Sequence, residues 1–120
     1  MIKLERNRCA ILSLVLKGKW YDLIASGVKR EEYRAATQYW QKRIENWDLS
    51  NKFTIIEFRR GYRKDAPRMA FSAMAIIKDR LRWFDMRQAD DHPEWGEPRG
   101  LHYVLVPGSR VEFAAKGGAK

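Results

Sequence analysis

Gly27-Val28-Lys29-Arg30-Glu31-Glu32-Tyr33-Arg34 is the stretch on which the fold turns. Ahead of it, Trp20, Leu23 and Ile24 recur at helical spacing, with Lys19, Asp22 and Ser26 elsewhere on the wheel. Gly27 stands where a left-handed residue closes a helix, and a charged extended run begins at once. If residues 30–34 form a strand, period two puts Arg30, Glu32 and Arg34 on one face and Glu31 and Tyr33 on the other. Lys29, in the turn, is then free to aim at Glu32. The residues alone leave two readings open. One is a solvated strand with a surface ion pair worth about 0–1 kcal/mol; the other is a polar cleft in which Lys29 does chemistry or grips a phosphate. Flanked by Arg30 and Arg34, Lys29 is expected to have its pKa lowered from about 10.4, while Glu32 opposes that shift and pairs with it.

Outward from this stretch, Cys9 to Leu16 is a continuous apolar run with one serine, suited to a strand covered on both faces. Thr37 is placed to cap a second helix carrying Trp40, Ile44 and Trp47 as an apolar stripe. Phe53 to Arg59 reads as a strand with Thr54, Ile56 and Phe58 on one face and Phe53, Ile55 and Glu57 on the other. Met69 to Lys78 reads as its hairpin partner across a basic loop. From Asp79 to Gly100 the periodicity is lost, and Pro93 and Pro98 mark an irregular loop that covers a site. His102 to Val106 resumes as a strand, Pro107-Gly108 is a turn, and Arg110 to Phe113 is a short last strand. Residues 116–120 are an expected disordered tail. The elements define an α+β chain with one domain over residues 1–115.

With 120 residues, 45% of them hydrophobic, and five each of Trp, Tyr and Phe, the chain has the means to build a core and does not resemble a disordered sequence. Lys and Arg outnumber Asp and Glu by 24 to 15, giving a net charge of +9 that favours anionic substrates or polyanionic partners. Arg59, Arg60, Arg63, Lys64 and Arg68 surround Tyr62, and Lys78, Arg80 and Arg82 precede Trp83, a mixture that binds phosphates and stacks bases. Trp20, Trp40 and Trp47 lie on apolar helix faces and suit the core; Trp83 and Trp95 lie in charged, loop-like sequence and suit stacking.

The single Cys9 excludes an intrachain disulfide framework, reads as a small core residue, and fits a reducing, cytoplasmic setting. Lys3 to Leu16 mimics a signal peptide but is followed by Lys-Gly-Lys-Trp and no cleavage site, and no apolar run approaches the ~20 residues of a membrane helix. His92 and His102 lack partners at ligand spacing, and neither a metal motif, a phosphate-cradling glycine loop nor a nucleophile elbow is present. No metal or cofactor is expected, and catalysis is left to Lys, Glu, Tyr or Asp.

The Gly27-x-Lys29-x-x-Glu32-x-Arg34 pattern resembles the GxKxxExR signature of ASCH domains, in the PUA-like superfamily of small β-barrels. Leu12-Ser13-Leu14 with Lys19-Trp20-x-Asp22-Leu23-Ile24-x-Ser26-Gly27 resembles the family's first strand and helix. Tyr103-Val104-Leu105 with Pro107-Gly108 resembles its closing strand. Glu31-Glu32-Tyr33-Arg34, Tyr39-Trp40, Phe58-Arg59-x-Gly61-Tyr62 and Trp95-Gly96 resemble one bacterial and phage branch. The resemblance spans residues 9–113 and implies a barrel of about five to six strands with two to three peripheral helices.

It also implies a role on RNA or nucleosides, since members include RNA-binding modules, proteins with ribonuclease activity, and amidohydrolases acting on N4-acetylcytidine; for this chain, RNA cleavage without a metal is one of the readings left open. In the amidohydrolase pattern the lysine matching Lys29 is catalytic, with a threonine three residues on, where this chain has Glu32, and a distant glutamate, for which Glu94 and Glu97 are candidates. The implied roles are Lys29, Glu32 and Glu94 for catalysis. Tyr33, Arg34, Trp95, Arg60 and Trp20 would bind substrate, a pyrimidine nucleoside, nucleotide or RNA. The expected state is a monomer.

Overall fold

The structure, a computed structural model, describes residues 2–80 and 101–114. Most of the irregular loop expected before Leu101, and the tail 116–120, lie outside the described residues.

The described chain runs β1 (Ile2–Leu4), a 3-10 turn (Arg6–Arg8), β2 (Cys9–Leu16), α1 (Gly18–Ala25), β3 (Glu32–Ala35), α2 (Gln38–Asp48), β4 (Phe53–Arg60), β5 (Arg68–Arg80) and β6 (Leu101–Phe113). These make a mixed six-stranded sheet in the order β1-β6-β5-β4-β2, with β3 paired to β6 off that path. β1 lies parallel to β6 and β2 parallel to β4, while β4, β5 and β6 form antiparallel neighbours. The fold class is therefore α+β, as expected. Among the described residues the sheet stays open, because no backbone ladder joins β2 to β3.

The local reasons for each element are chemical. Thr37 caps α2 by accepting the Trp40 N–H on its Oγ1 at 3.3 Å. The expected alternation of β4 holds. Ile56 and Phe58 enter the larger core with Leu12, Leu14 and Leu16 of β2, Tyr21 and Ile24 of α1, and Ile44 and Trp47 of α2. Ile55 turns to a smaller cluster with Cys9, Ala70 and Val111. Trp47 also donates its indole N–H to the Ala10 carbonyl at 2.8 Å, which satisfies the ring's one polar group. Of the helix tryptophans only Trp47 is buried; Trp20 and Trp40 are half-buried against the same core. Cys9 is a core thiol whose pKa is pushed up by burial.

Two expectations are corrected at the long hairpin. β5 continues to Arg80, because its last residues keep pairing as far as Arg80 with Leu101. Pro107-Gly108 is not a turn: β6 continues through it, and the register shifts twice, with the extra residue on β6 between Pro107 and Arg110 and on β5 between Ala73 and Ala75. A proline that cannot donate to the ladder is accommodated where the ladder is already interrupted. Gly108 fits there because an added Cβ would lie 2.7 Å from Ser72 Oγ, the same hydroxyl that accepts the Ser109 N–H at 3.0 Å.

Among the described residues, the sheet face away from the helices buries one carboxylate, Glu57. Arg6 binds it with two hydrogen bonds of 3.0 Å, and Ser13 Oγ adds a third at 3.2 Å. Burial alone raises the Glu57 pKa, but the Arg6 hydrogen bonds and charge, with Ser13 and Arg68, outweigh it and hold the carboxyl below its ordinary range. A folded-state pKa below the unfolded one means that this stabilisation is complete above about pH 4.3 and is lost as pH falls through the folded value. In thermal unfolding at decreasing pH, Glu57→Gln is expected to be less stable than wild type at neutral pH and to lose stability less steeply in acid. Parallel profiles would contradict this.

Candidate functional site

The site is assembled where α1 ends and β3 begins. Gly27 takes φ +82°, its N–H donates to the Ile24 carbonyl at 3.1 Å, and the Lys29 N–H donates to the Leu23 carbonyl at 3.0 Å. These bonds fold the chain back over the last turn of α1, in the manner of glycine-closed helices. They aim the Lys29 side chain inward instead of into solvent. Lys29, Glu31 and Glu32 are 4%, 1% and 7% exposed, a degree of burial that charged side chains reach only with partners.

Each of the three has at least one polar partner. Lys29 Nζ donates to Glu32 Oε1 at 3.1 Å and to the main-chain oxygen of Glu31. It also lies 5.7 Å from the ring centroid of Trp20 and 5.1 Å from that of Tyr33, within cation–π range. The second oxygen of Glu32 accepts from Arg34 at 2.8 Å. Arg34 in turn donates to the Tyr33 carbonyl at 2.8 Å and the Val15 carbonyl at 3.3 Å, and its guanidinium lies 5.3 Å from the Trp40 ring. The Tyr33 hydroxyl donates to Glu31 Oε1 at 2.7 Å.

The alternation read from the sequence is reproduced: Glu32 joins Arg34, and Glu31 joins Tyr33. The carboxylate in reach of Lys29 is that of Glu32. Glu31 is a buried member that the sequence reading treated only as a strand residue; its signal was its place beside Glu32 with Tyr33 two positions on. Arg30, placed by period two on the face of Glu32, precedes the strand and is exposed.

Burial is the principal reason that the Lys29 pKa is lowered. The Glu32 charge and hydrogen bond and the Glu31 charge pull it back up, and Arg34 adds a smaller downward push. The sequence reading assigned the lowering to Arg30 and Arg34, so its direction holds and its main cause is corrected to desolvation. The cluster has two cations and two carboxylates and is formally neutral. It can pass a proton between an amine and a carboxylate already in contact.

The Trp20 ring has a second lysine in range, with Lys19 Nζ 4.8 Å from its centroid. Arg60, expected at this site, instead binds Asp22 of α1 through two hydrogen bonds of 3.1 and 3.0 Å and lies over Gly18. Glu94, Trp95 and Glu97, as well as Trp83 and His92, lie outside the described residues. None of the protein-family models, curated proteins and solved structures compared with the chain matches it.

Two measurements check this site. No atom lies within 4 Å of a Cβ built at Gly27, so Gly27→Ala brings only backbone strain, expected at about 1–2 kcal/mol of lost stability in denaturant unfolding. In NMR of lysine side chains, one resonance assigned to Lys29 is expected to titrate below the ordinary lysine range of about 10.4. Glu32→Gln should move it lower still, since Glu32 is the main group holding it up. An unchanged or raised value in that variant would show that Glu32 is not its counter-charge.

Proposed function

We propose that the chain is an ASCH domain of the PUA-like superfamily, and that it hydrolyses the N4-acyl amide of an acylated cytidine, as nucleoside or nucleotide. The family part of this reading rests on the Gly27, Lys29, Glu32 and Arg34 signature, in which Lys29, Glu32 and Arg34 are bonded into one cluster and Gly27 makes the turn leading into it. The observation that carries the chemistry is the Lys29 amine, buried, depressed in pKa and held at 3.1 Å by a carboxylate.

In the proposed reaction the neutral Lys29 amine takes a proton from water as that water adds to the acyl carbon. Glu32 orients the amine and relays the proton, and Arg34 holds Glu32 in place. The C–N bond then breaks, the proton passes to N4, and cytidine leaves with a carboxylic acid as the second product. Tyr33, with Trp95, supplies a stacking surface for the base, Trp20 walls the amine, and Glu94 is the candidate for the more distant carboxylate. Metal and cofactor have no step in this scheme.

Binding of RNA by the same cleft is the other reading of the signature. It is disfavoured by the burial of Lys29, whose donors are directed at Glu31 and Glu32 and so away from a phosphate backbone.

Purified protein incubated side by side with N4-acetylcytidine and with labelled RNA is expected to deacylate the nucleoside and leave the RNA uncut. Lys29→Met should lower the deacylation rate by at least about a hundredfold, the lower end of what a positioned base contributes. The wild-type rate should rise with pH through the depressed Lys29 pKa, since the neutral amine is the base. A Lys29→Met variant as active as wild type would end the assignment.

A further inference from the structure

A second group of cations sits on the sheet face away from α1 and α2, and the Lys29 cluster does not use it. Arg59 of β4 and Arg68 of β5 are directly opposed in the antiparallel ladder. Period two puts them on the Glu57 face, beyond Ile55 and Glu57. Like charges facing each other across a ladder repel, and such a pair persists only where something compensates. The Glu57 carboxylate feels the charge of Arg68, but its hydrogen bonds are taken by both arms of Arg6 and by Ser13.

Arg59 is fixed in place. One terminal nitrogen donates to the carbonyls of Tyr62 and Arg63 at the hairpin tip, while its Nε is buried with no hydrogen-bond partner. An unsatisfied guanidinium N–H is a standing cost that an oxyanion would remove. Arg68 is exposed and has no carboxylate in salt-bridge contact among the described residues, so it is the arm able to move. Beside it a cavity of about 350 Å³ is lined by the cations Arg68 and Arg110, the carboxylates Glu57 and Glu112, and apolar residues of β5 and β6; Arg59 stands outside that lining. That volume falls in the range of small-ligand sites, and its lining is as polar as it is apolar. Tyr62, whose carbonyl Arg59 holds, presents its ring to solvent and is 85% exposed.

We infer that Arg59 and Arg68 form an oxyanion site for a phosphate group. The two guanidinia clamp the phosphate oxygens, the Arg59 Nε–H gains its missing acceptor, and the cross-strand repulsion is cancelled by the ligand's charge. Inorganic phosphate and a nucleoside monophosphate both carry this chemistry, and they differ in whether the Tyr62 ring takes part. The site is independent of the deacylation reading, since it shares no residue with the Lys29 cluster.

The test is titration of the full chain with inorganic phosphate and with uridine 5′-monophosphate at constant ionic strength. Binding is followed by the Nε–H resonances of arginine and by the unfolding temperature. The Arg59 Nε–H resonance is expected to move and saturate with either ligand. Arg68→Gln, a substitution at an exposed side chain, should weaken binding at least about tenfold, the loss typical of one charge-assisted hydrogen bond. Tighter binding of the nucleotide that Tyr62→Ala brings down to the level of phosphate assigns the ligand as a nucleotide; equal binding of the two assigns phosphate alone. Both variants should deacylate N4-acetylcytidine at the wild-type rate, so failure here and failure of that activity remain separable. An Arg59 resonance that does not move, or an unfolding shift identical in wild type and Arg68→Gln, overturns the proposal.

Discussion

The organisation of this end of the molecule depends on taking the Lys29 amine out of water. An ammonium moved into a protein interior loses several kcal/mol of hydration unless hydrogen bonds and an opposite charge replace it. Here the replacement is complete: a main-chain oxygen, a carboxylate and two aromatic rings. Each partner then needs support of its own, because a buried carboxylate beside one lysine still has a second oxygen to satisfy. Arg34 answers for that oxygen, and the requirement passes outward to whatever holds Arg34.

What holds Arg34 ties the cluster to the sheet. Leu16 accepts the Gly61 N–H on the β4 side, so the neighbouring Val15 carbonyl points the other way, toward the edge of β2 that has no strand partner among the described residues. Arg34 donates to that carbonyl from β3. An exposed strand edge is an aggregation hazard unless it is covered. At this point it is covered by a side chain of the same cluster that pairs Glu32. The link between β2 and β3 is thus made by a guanidinium where a closed barrel would have a backbone ladder. The polar cluster therefore serves the sheet's edge as well as any chemistry at Lys29.

The parts that were legible in the sequence are those set by neighbours in the chain. Gly27 as a helix stop, Thr37 as a cap, and the alternation of Glu32 with Arg34 and of Ile55 with Ile56 all follow from local geometry and were read correctly. The parts that were missed depend on residues far apart. Pro107-Gly108 looks like a turn because proline and glycine usually make one; only Ser72, on another strand, shows that β6 continues. Ile2 to Leu4 joins the sheet by a parallel pairing with the far end of β6, which no local periodicity announces. Glu57 was placed on the correct face of its strand, but its bond to Arg6 spans 51 residues of sequence and had no signal. For Lys29 the direction of the pKa shift was legible from nearby charges, whereas its chief cause, burial, needs the assembled fold.

The same balance bears on the residue at position 32. In the amidohydrolase pattern that the signature resembles, a threonine stands where this chain has Glu32, and a threonine would leave the lysine free to lose its proton. A carboxylate holds the proton on, so Glu32 by itself argues for a charged and chemically idle Lys29. Two features of the cluster work against that conclusion. Arg34 occupies the other oxygen of Glu32 at 2.8 Å, closer than the 3.1 Å contact to Lys29, and so draws the carboxylate's charge toward itself. Arg34 is also anchored at Val15, Tyr33 and Trp40, so it cannot easily follow Glu32 toward the lysine. Desolvation already outweighs Glu32 in the free protein. A ligand seated against Trp20 and Tyr33 would displace water near the amine and deepen that desolvation without adding a negative charge. Under the proposed reaction, substrate binding itself would then release the proton from Lys29, and Glu32, in contact already, is the group placed to receive it.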